Sequence, residues 1–248
     1  MDPRRGEERV LVVGATRGTG TEIVKRLLRD GFRVRALARD ENNARRTLGD
    51  DVEIVHGDVT QRETLAPAMR EVRHVIFTAG VTKRPASQRS IVAVEYDGVK
   101  NTLAAAREAG VSGRFLYMTA IGVTRHSIAS IALNLIKGRT LVWRRRAEDE
   151  IRHSGADYTI IRCGVLRNEP AGRHAIEISQ RDRPMAFWRR IGRADAAEVF
   201  VQALQHPATR RTIFDATWSR RDGRTDWEAL YSRLRPDPAW IKREEPDR

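Results

Sequence analysis

Residues 9 to 40 constrain the fold of this 248-residue chain more than any other stretch. An apolar run, Val10-Leu11-Val12-Val13, meets the loop Gly14-Ala15-Thr16-Arg17-Gly18-Thr19-Gly20. An amphipathic segment follows, then a second apolar run ending Leu37-Ala38-Arg39-Asp40. The order reads as strand, glycine turn, helix and strand, the opening unit of a dinucleotide-binding fold. A diphosphate can rest on a helix N-terminus only where the chain turns tightly and no Cβ blocks its approach. Gly14 is expected to make the turn, Gly18 to permit the approach and Gly20 to let helix pack on strand, with Thr16, Arg17 and Thr19 completing the cradle. Ile23, Val24, Leu27 and Leu28 recur at helical spacing and give the helix one face to bury.

Strand and helix patterns keep alternating. Val52 to His56 and Val72 to Thr78 read as strands, with a short helix marked by Leu65 and Met69 between them. Ile91 to Ala109 reads as a long helix closed by Gly110, a residue suited to a left-handed cap. Arg114 to Thr119 is a fifth strand, Leu133 to His153 a helix stopped by Ser154-Gly155, and Tyr158 to Arg162 a sixth strand. Beyond it come a strand at Ala175 to Ser179, a helix at Arg193 to Gln205, a strand at Thr212 to Ala216 and a helix near Asp226 to Leu234. Gly192 serves as N-cap of the Arg193 helix, with Asp195 as a helix starter rather than a catalyst. This alternation predicts an α/β fold, a Rossmann-type doubly wound parallel sheet with ligands at the C-terminal strand ends. The expected organisation is a single domain over 1–248, with its core at about 9–165 and substrate-side and C-terminal elements at about 166–235. Met185, Phe187 and Trp188, between Glu169 and Gly192, read either as a substrate-side lid or as a hydrophobic anchor of a surface loop.

Composition narrows the functional classes. Cys163 is the single cysteine, so no internal disulfide can form, and a reducing cytoplasmic location is expected. Met1 to Glu8 has no apolar core of a signal peptide, and the apolar stretch Ser127 to Ile136 is too short to span a bilayer, so no membrane is expected. The net charge of +13 invites a nucleic-acid reading. The arginines, however, are scattered in pairs, and Arg144-Arg145-Arg146 is followed by Glu148-Asp149-Glu150, so no binding stripe emerges and nucleic acid is not an expected partner. The histidines show no metal-ligand spacing, and no metal is expected.

The end of the second strand bears on the choice of cofactor. An acidic residue there accepts from a ribose 2′-hydroxyl, whereas a basic one pairs with a 2′-phosphate. Arg39 and Asp40 offer both, and Arg17 adds a second guanidinium nearby, which favours NADP over NAD. Asp58, in His56-Gly57-Asp58-Val59, stands where the adenine amino group needs an acceptor; its structural alternative is to cap a helix beginning at Thr60. Ala79 and Gly80 put small residues where backbone runs close to ribose and diphosphate.

Together these segments resemble the short-chain dehydrogenase/reductase superfamily, specifically its atypical NAD(P)H-binding members, NmrA-like or epimerase/dehydratase-like. The resemblance extends from Val10 to about Leu234. It is carried by Gly14-x-x-x-Gly18-x-Gly20, Gly57-Asp58-Val59, Ala79-Gly80, Tyr96-Asp97-Gly98-x-x-Asn101, Met118-Thr119-Ala120-Ile121-Gly122, Trp143-Arg144-Arg145-Arg146-Ala147-Glu148 and Ser154 to Arg162. It implies cofactor contacts from Val59 and from Cys163-Gly164-Val165 beside the nicotinamide, with Cys163 in place of a common proline and read as a buried thiol.

The superfamily's chemistry uses a serine after the fifth strand and a Tyr-x-x-x-Lys pair on the next helix. Thr119 takes the serine's place and is the one catalytic candidate. The tyrosine is missing, Lys137 has Leu133 four residues before it, and arginine cannot exchange a proton near neutral pH. Two functions follow. One is an oxidoreductase or epimerase-type enzyme on a small organic substrate, with His126 or water as proton donor. The other is a redox sensor or assembly factor that binds the dinucleotide without turnover. A monomer or homodimer fits either.

Overall fold

The computed structural model describes residues 7–81, 86–125, 127–136, 138–220 and 223–238. Lys137 and His126 fall outside them. The first half of the chain runs β1 (Arg9–Val13), α1 (Thr19–Arg29), β2 (Arg33–Ala38), α2 (Glu41–Leu48), β3 (Glu53–His56), α3 (Ala66–Met69) and β4 (His74–Phe77). It continues through α4 (Gln88–Ile91), a π-helical turn (Val92–Asp97), α5 (Gly98–Glu108) and β5 (Arg114–Ala120). The remainder is α6 (Ile128–Ile136), α7 (Thr140–His153), β6 (Asp157–Cys163), β7 (Val165–Arg167), β8 (Ile176–Ser179), β9 (Arg190–Gly192), α8 (Arg193–Gln205), β10 (Thr212–Trp218) and α9 (Trp227–Tyr231).

Eight strands form one sheet in the order β3-β2-β1-β4-β5-β6-β10-β8. All neighbours are parallel except β10 and β8. The first six strands have the order of a doubly wound dinucleotide fold, which reverses direction between β1 and β4 and leaves a crevice there. β8 and β10, both beyond residue 165, extend the same sheet, while β7 and β9 form a separate parallel pair. Ile23, Val24 and Leu27 of α1 and Val199, Phe200 and Ala203 of α8 cover one face. Val99 of α5, Ala147 and Ile151 of α7 and Tyr158 and Ile160 of β6 belong to the core on the other.

Three departures from the sequence pattern have local causes. The helix expected from Leu133 to His153 is two helices, because Gly138 and Arg139 both take left-handed conformations (φ 50° and 62°). The Asn134 side chain then accepts from Leu141 N at 2.9 Å, satisfying a donor at the start of α7. The helix from Ile91 to Ala109 holds a π turn over Val92–Asp97. Asp58 does not cap a helix: its Oδ1 accepts from Thr60 N and Thr60 Oγ1, both at 2.9 Å, closing a turn before a 3₁₀ segment at Arg62–Thr64.

Several arginines are structural. Arg35 Nη1 donates to the carbonyls of Ala68 and Arg70, and Arg114 donates to those of Ala203 and His206 beyond β5. Buried guanidiniums of this kind satisfy carbonyls that helix ends and turns leave open. Part of the large positive charge is therefore internal, consistent with its scattered pattern along the chain.

Candidate active site

The crevice begins at the β1–α1 loop. Gly14 has φ +89°, and a Cβ there would come within 2.7 Å of Ala79 N on the neighbouring strand's exit. A Cβ on Gly20 would overlap the carbonyl oxygen of Gly14, so helix and strand meet at backbone distance. Gly18, φ +57°, is the N-cap of α1 and has only the Arg193 side chain near its missing Cβ, at 3.2 Å. The three glycines therefore meet three different surroundings: the neighbouring strand's exit, a flexible arginine side chain and the loop's own carbonyl. The first backbone N–H groups of α1 lack intrahelical partners, and Thr19 Oγ1 is buried without a hydrogen bond. A helix N-terminus with an orphaned hydroxyl, glycine on its approach and an arginine above it fits an anionic diphosphate.

Arg193 was not singled out from sequence. It stands at the start of α8, 175 positions after Gly18, with Nη1 2.7 Å from Asn168 Oδ1. Only the sheet order, which lays α8 beside α1, brings it over the loop. Thr16 and Arg17 lie in the loop itself.

At the end of β2, Arg39 is 75% exposed, with Nη1 3.8 Å from Asp58 Oδ2. Asp40 is the N-cap of α2, its Oδ1 accepting from Asn43 N at 2.8 Å. One of the two residues in question is thus engaged by its own backbone and the other is presented outward. Val59 is buried against Gly98, and its carbonyl accepts from Asn101 Nδ2 at 2.8 Å, so it fixes α5.

Beneath Gly80 lies a buried ion pair. Arg144 Nε is 3.0 Å from Glu95 Oε2, and Nη2 is 3.3 Å from Oε1. Glu95 also accepts from Thr140 Oγ1 and from Val81 N. Burial alone would raise this carboxyl, but Arg144 and the two donors outweigh it and hold it below the ordinary glutamate range. Glu95 is presented by the π turn, a distortion that often marks functional positions.

Thr119 is the penultimate residue of β5, beside Arg162 of β6. Its hydroxyl is buried and completes no hydrogen bond of normal length, although it lies close enough to Glu148 to favour that carboxylate's charge. Glu148 is fully buried and pairs with Arg162 through two contacts, at 3.1 and 2.7 Å. Burial pushes Glu148 up from the ordinary carboxylate range, and Arg162 pulls it part of the way back.

Cys163 and Gly164 line the same strand end. Cys163 O accepts from Ile121 N at 3.1 Å, and burial pushes its thiol up to about 12, which keeps it inert at neutral pH. A Cβ on Gly164 would approach Arg189 O at 2.5 Å, and Val165 N donates to the same carbonyl at 2.7 Å. None of the four tyrosines supplies the missing acid. Tyr96 donates to Glu150, Tyr158 to Asp237 and Tyr231 to the Val199 carbonyl, while Tyr117 is buried against Phe77. Asp195 is no mere helix starter: its carboxylate accepts from Trp218 Nε1 and from Gly172 N. Among the described residues no group of three His, Cys, Asp or Glu could hold a metal ion.

Comparison with known proteins agrees with this geometry. An NAD(P)H-binding family model matches residues 14–207. Sanguinarine reductase of Eschscholzia californica is 30% identical over 91% of this chain and 95% of its own length. Photosystem II assembly factor Ycf39 of Cyanophora paradoxa is 26% identical, covering 94% of this chain and 71% of its own. A putative NAD-dependent epimerase/dehydratase from Bacillus halodurans superposes with a TM-score of 0.76 at 25% identity, over 92% of this chain and all of that one. The chain belongs to the NAD(P)H-binding family.

Proposed function

We propose that the protein binds NADP(H) in the crevice between β1 and β4 and acts as an oxidoreductase or epimerase-type enzyme on a small organic substrate. The glycine cradle at the start of α1, with the orphaned Thr19 hydroxyl and Arg193 above it, is the observation that carries the reading. NADP is preferred to NAD because Arg39 is exposed while the Asp40 carboxylate is spent on capping α2. Arg17 and Arg39 are assigned to the 2′-phosphate, Gly14, Thr16, Gly18, Thr19 and Gly20 to the diphosphate, and Asp58, Val59, Ala79 and Gly80 to the adenine and ribose side. Cys163, Gly164 and Val165 border the nicotinamide, and elements after about residue 166 form the substrate side.

The bound nicotinamide supplies a hydride. Thr119 holds the substrate oxygen through its buried hydroxyl, and Arg144, immobilised by Glu95, places a fixed positive charge where negative charge develops. Neither side chain releases the proton that completes an alcohol, which leaves water, or His126 outside the described residues, to deliver it. The single buried cysteine is consistent with a reducing compartment, the cytoplasm. NADPH oxidation against a panel of carbonyl and quinone substrates tests this reading. Turnover that falls about a hundredfold in Thr119→Val supports it, and no turnover with any substrate defeats it.

One observation favours the alternative of a dinucleotide-sensing or assembly protein. The residue positioned for chemistry on α7, Arg144, is locked in an ion pair and has no proton to exchange at neutral pH. A sensor requires different affinities for NADP⁺ and NADPH, or a partner whose binding follows the redox state. Calorimetry with each form decides the first point.

A further inference from the structure

Helix α6 is inside out. Ser130 is its one fully buried residue, and Ser130 and Asn134 face the protein, bonded to Ser127 and to Leu141 N. Its aliphatic side chains face solvent: Ile128 is 89% exposed and Leu135 80%, with Ile131 and Ile136 also exposed. A helix with that pattern normally turns over, since outward Ile and Leu forgo burial. Here the two polar residues four positions apart anchor it the other way. A second segment joins the patch: Met185 O accepts from Ser127 Oγ, and two positions on, Phe187 (73%) and Trp188 (63%) are exposed.

The charge around this ridge is mostly positive, with Asp182, which accepts from Thr124 Oγ1 at 2.9 Å and lies 3.2 Å from Arg162 Nη1, as the acidic residue beside it. Between Glu108 and Glu148 the sequence contains no Asp or Glu. Arg125 and Arg139 flank α6, and Arg181 and Arg190 flank the Phe187-Trp188 segment; all four are exposed, and none has an ion pair among the described residues. An aliphatic ridge with an aromatic pair and a cationic rim has the composition of an interfacial membrane anchor. A second copy of this chain would bring the same cations face to face, and an acidic protein surface alone leaves the aliphatic ridge without an apolar counterpart. No helix among the described residues is long enough to cross a bilayer, but lying on one requires no span.

We propose that α6 and the Phe187-Trp188 segment dock the protein reversibly on an anionic lipid surface. The inference is independent of which dinucleotide or substrate the crevice takes. The test is flotation of the full chain with vesicles of phosphatidylcholine alone or mixed with phosphatidylglycerol, at low salt and at about 0.5 M salt, where screening is short-ranged. The expected result is flotation with the mixed vesicles at low salt, at least about tenfold less with neutral vesicles or at high salt, and loss in the double variant Ile131→Glu, Leu135→Glu. The circular dichroism and the chemical unfolding midpoint of the double variant should match wild type, which excludes unfolding. The proposal is overturned if wild-type protein does not float with the mixed vesicles, or if the double variant floats as well as wild type. A dimer by light scattering that the double variant dissociates, without any flotation, assigns the face to a second copy and also overturns it.

Discussion

Arg144 and Glu95 grip each other at two points beneath Gly80, the guanidinium of one lying nearly edge to edge with the carboxylate of the other. The arrangement explains how an arginine can stand buried on α7. Its charge is held in place by a carboxylate from the π turn, and Gly80 leaves it room. A buried pair is costly to break on one side only, because the remaining charge stays in low dielectric. Arg144→Met is therefore expected to lower stability by about 3–5 kcal/mol. Adding Glu95→Gln should recover more than half of that loss, since the amide still accepts from Val81 N and no longer carries a charge. Chemical unfolding midpoints of the two singles and the double complete the cycle, and strict additivity would show that the pair does not act as a unit.

The glycine loop separates two kinds of glycine. A methyl on Gly20 has nowhere to go, because it meets the Gly14 carbonyl and Thr78 Oγ1. Gly20→Ala should therefore unseat α1 from β1, with loss of both stability and dinucleotide binding. Gly18→Ala meets only a movable arginine, and its cost is a backbone at φ 57°, ψ −128° that L-residues rarely adopt, about 1–3 kcal/mol. Its effect should concentrate on dinucleotide affinity in calorimetry, with the fold retained.

Much of this architecture is legible in the residue pattern, for physical reasons that also mark its limit. The Gly14-x-x-x-Gly18-x-Gly20 loop is local, and its steric demands are written in adjacent residues. The helix Arg193–Gln205 falls where its apolar pattern and Gly192 place it. Arg193 over Gly18, and Glu95 against Arg144 49 positions later, are contacts made by sheet order and leave no mark in any short window. Periodicity starts a helix only at Leu133 and so misses most of α6, whose outward face is the apolar one. The three-residue strands β7 and β9 are too short to show alternation at all.

Arg39 and Asp40 give opposite forecasts for cofactor choice, and their separate engagements make the forecasts testable. Arg39→Ala should lower NADPH affinity by roughly tenfold to a hundredfold, the range of one charge-assisted phosphate contact, and leave NADH nearly unchanged. Asp40→Ala should instead cost about 1 kcal/mol of stability through the lost cap on α2, with the NADPH preference intact. Titration of each variant with both coenzymes distinguishes the two. An unchanged ratio in Arg39→Ala would remove this arginine from the 2′-phosphate site.

Thr119 offers an unusual combination, a buried hydroxyl near the end of a central strand that completes no hydrogen bond of normal length and lies close to the Glu148 carboxylate. An unsatisfied buried donor is a cost to the fold. Thr119→Val keeps the shape and removes the hydroxyl, so the unfolding midpoint should stay level or rise while turnover falls. A loss of stability in step with activity would mean that the hydroxyl serves the fold rather than the substrate.

His74 sets a pH dependence of stability far from the crevice. Its Nδ1 accepts from Arg114 N at 2.8 Å, which requires that nitrogen to be unprotonated, and its Nε2 lies 3.5 Å from Glu8 Oε2. Burial, with Arg73, Arg114 and Arg210 nearby, lowers the imidazole from 6.5 to about 3. The folded protein thus refuses a proton that the unfolded chain accepts below about 6.5. Stability is lost as the pH falls through that window, by about 1.4 kcal/mol per unit from this one group. Asp215 works in the other direction: burial raises it from 3.8 to about 7, so the folded state takes up a proton that the unfolded chain does not, and stability is gained as the pH falls. The two slopes oppose each other between about 4 and 6.5, so the wild-type curve conceals both. His74→Asn keeps an acceptor for Arg114 N but cannot be protonated, and its denaturant midpoint should rise relative to wild type on moving from neutral pH toward pH 5. Parallel curves for wild type and variant would show that His74 titrates alike in the folded and unfolded states.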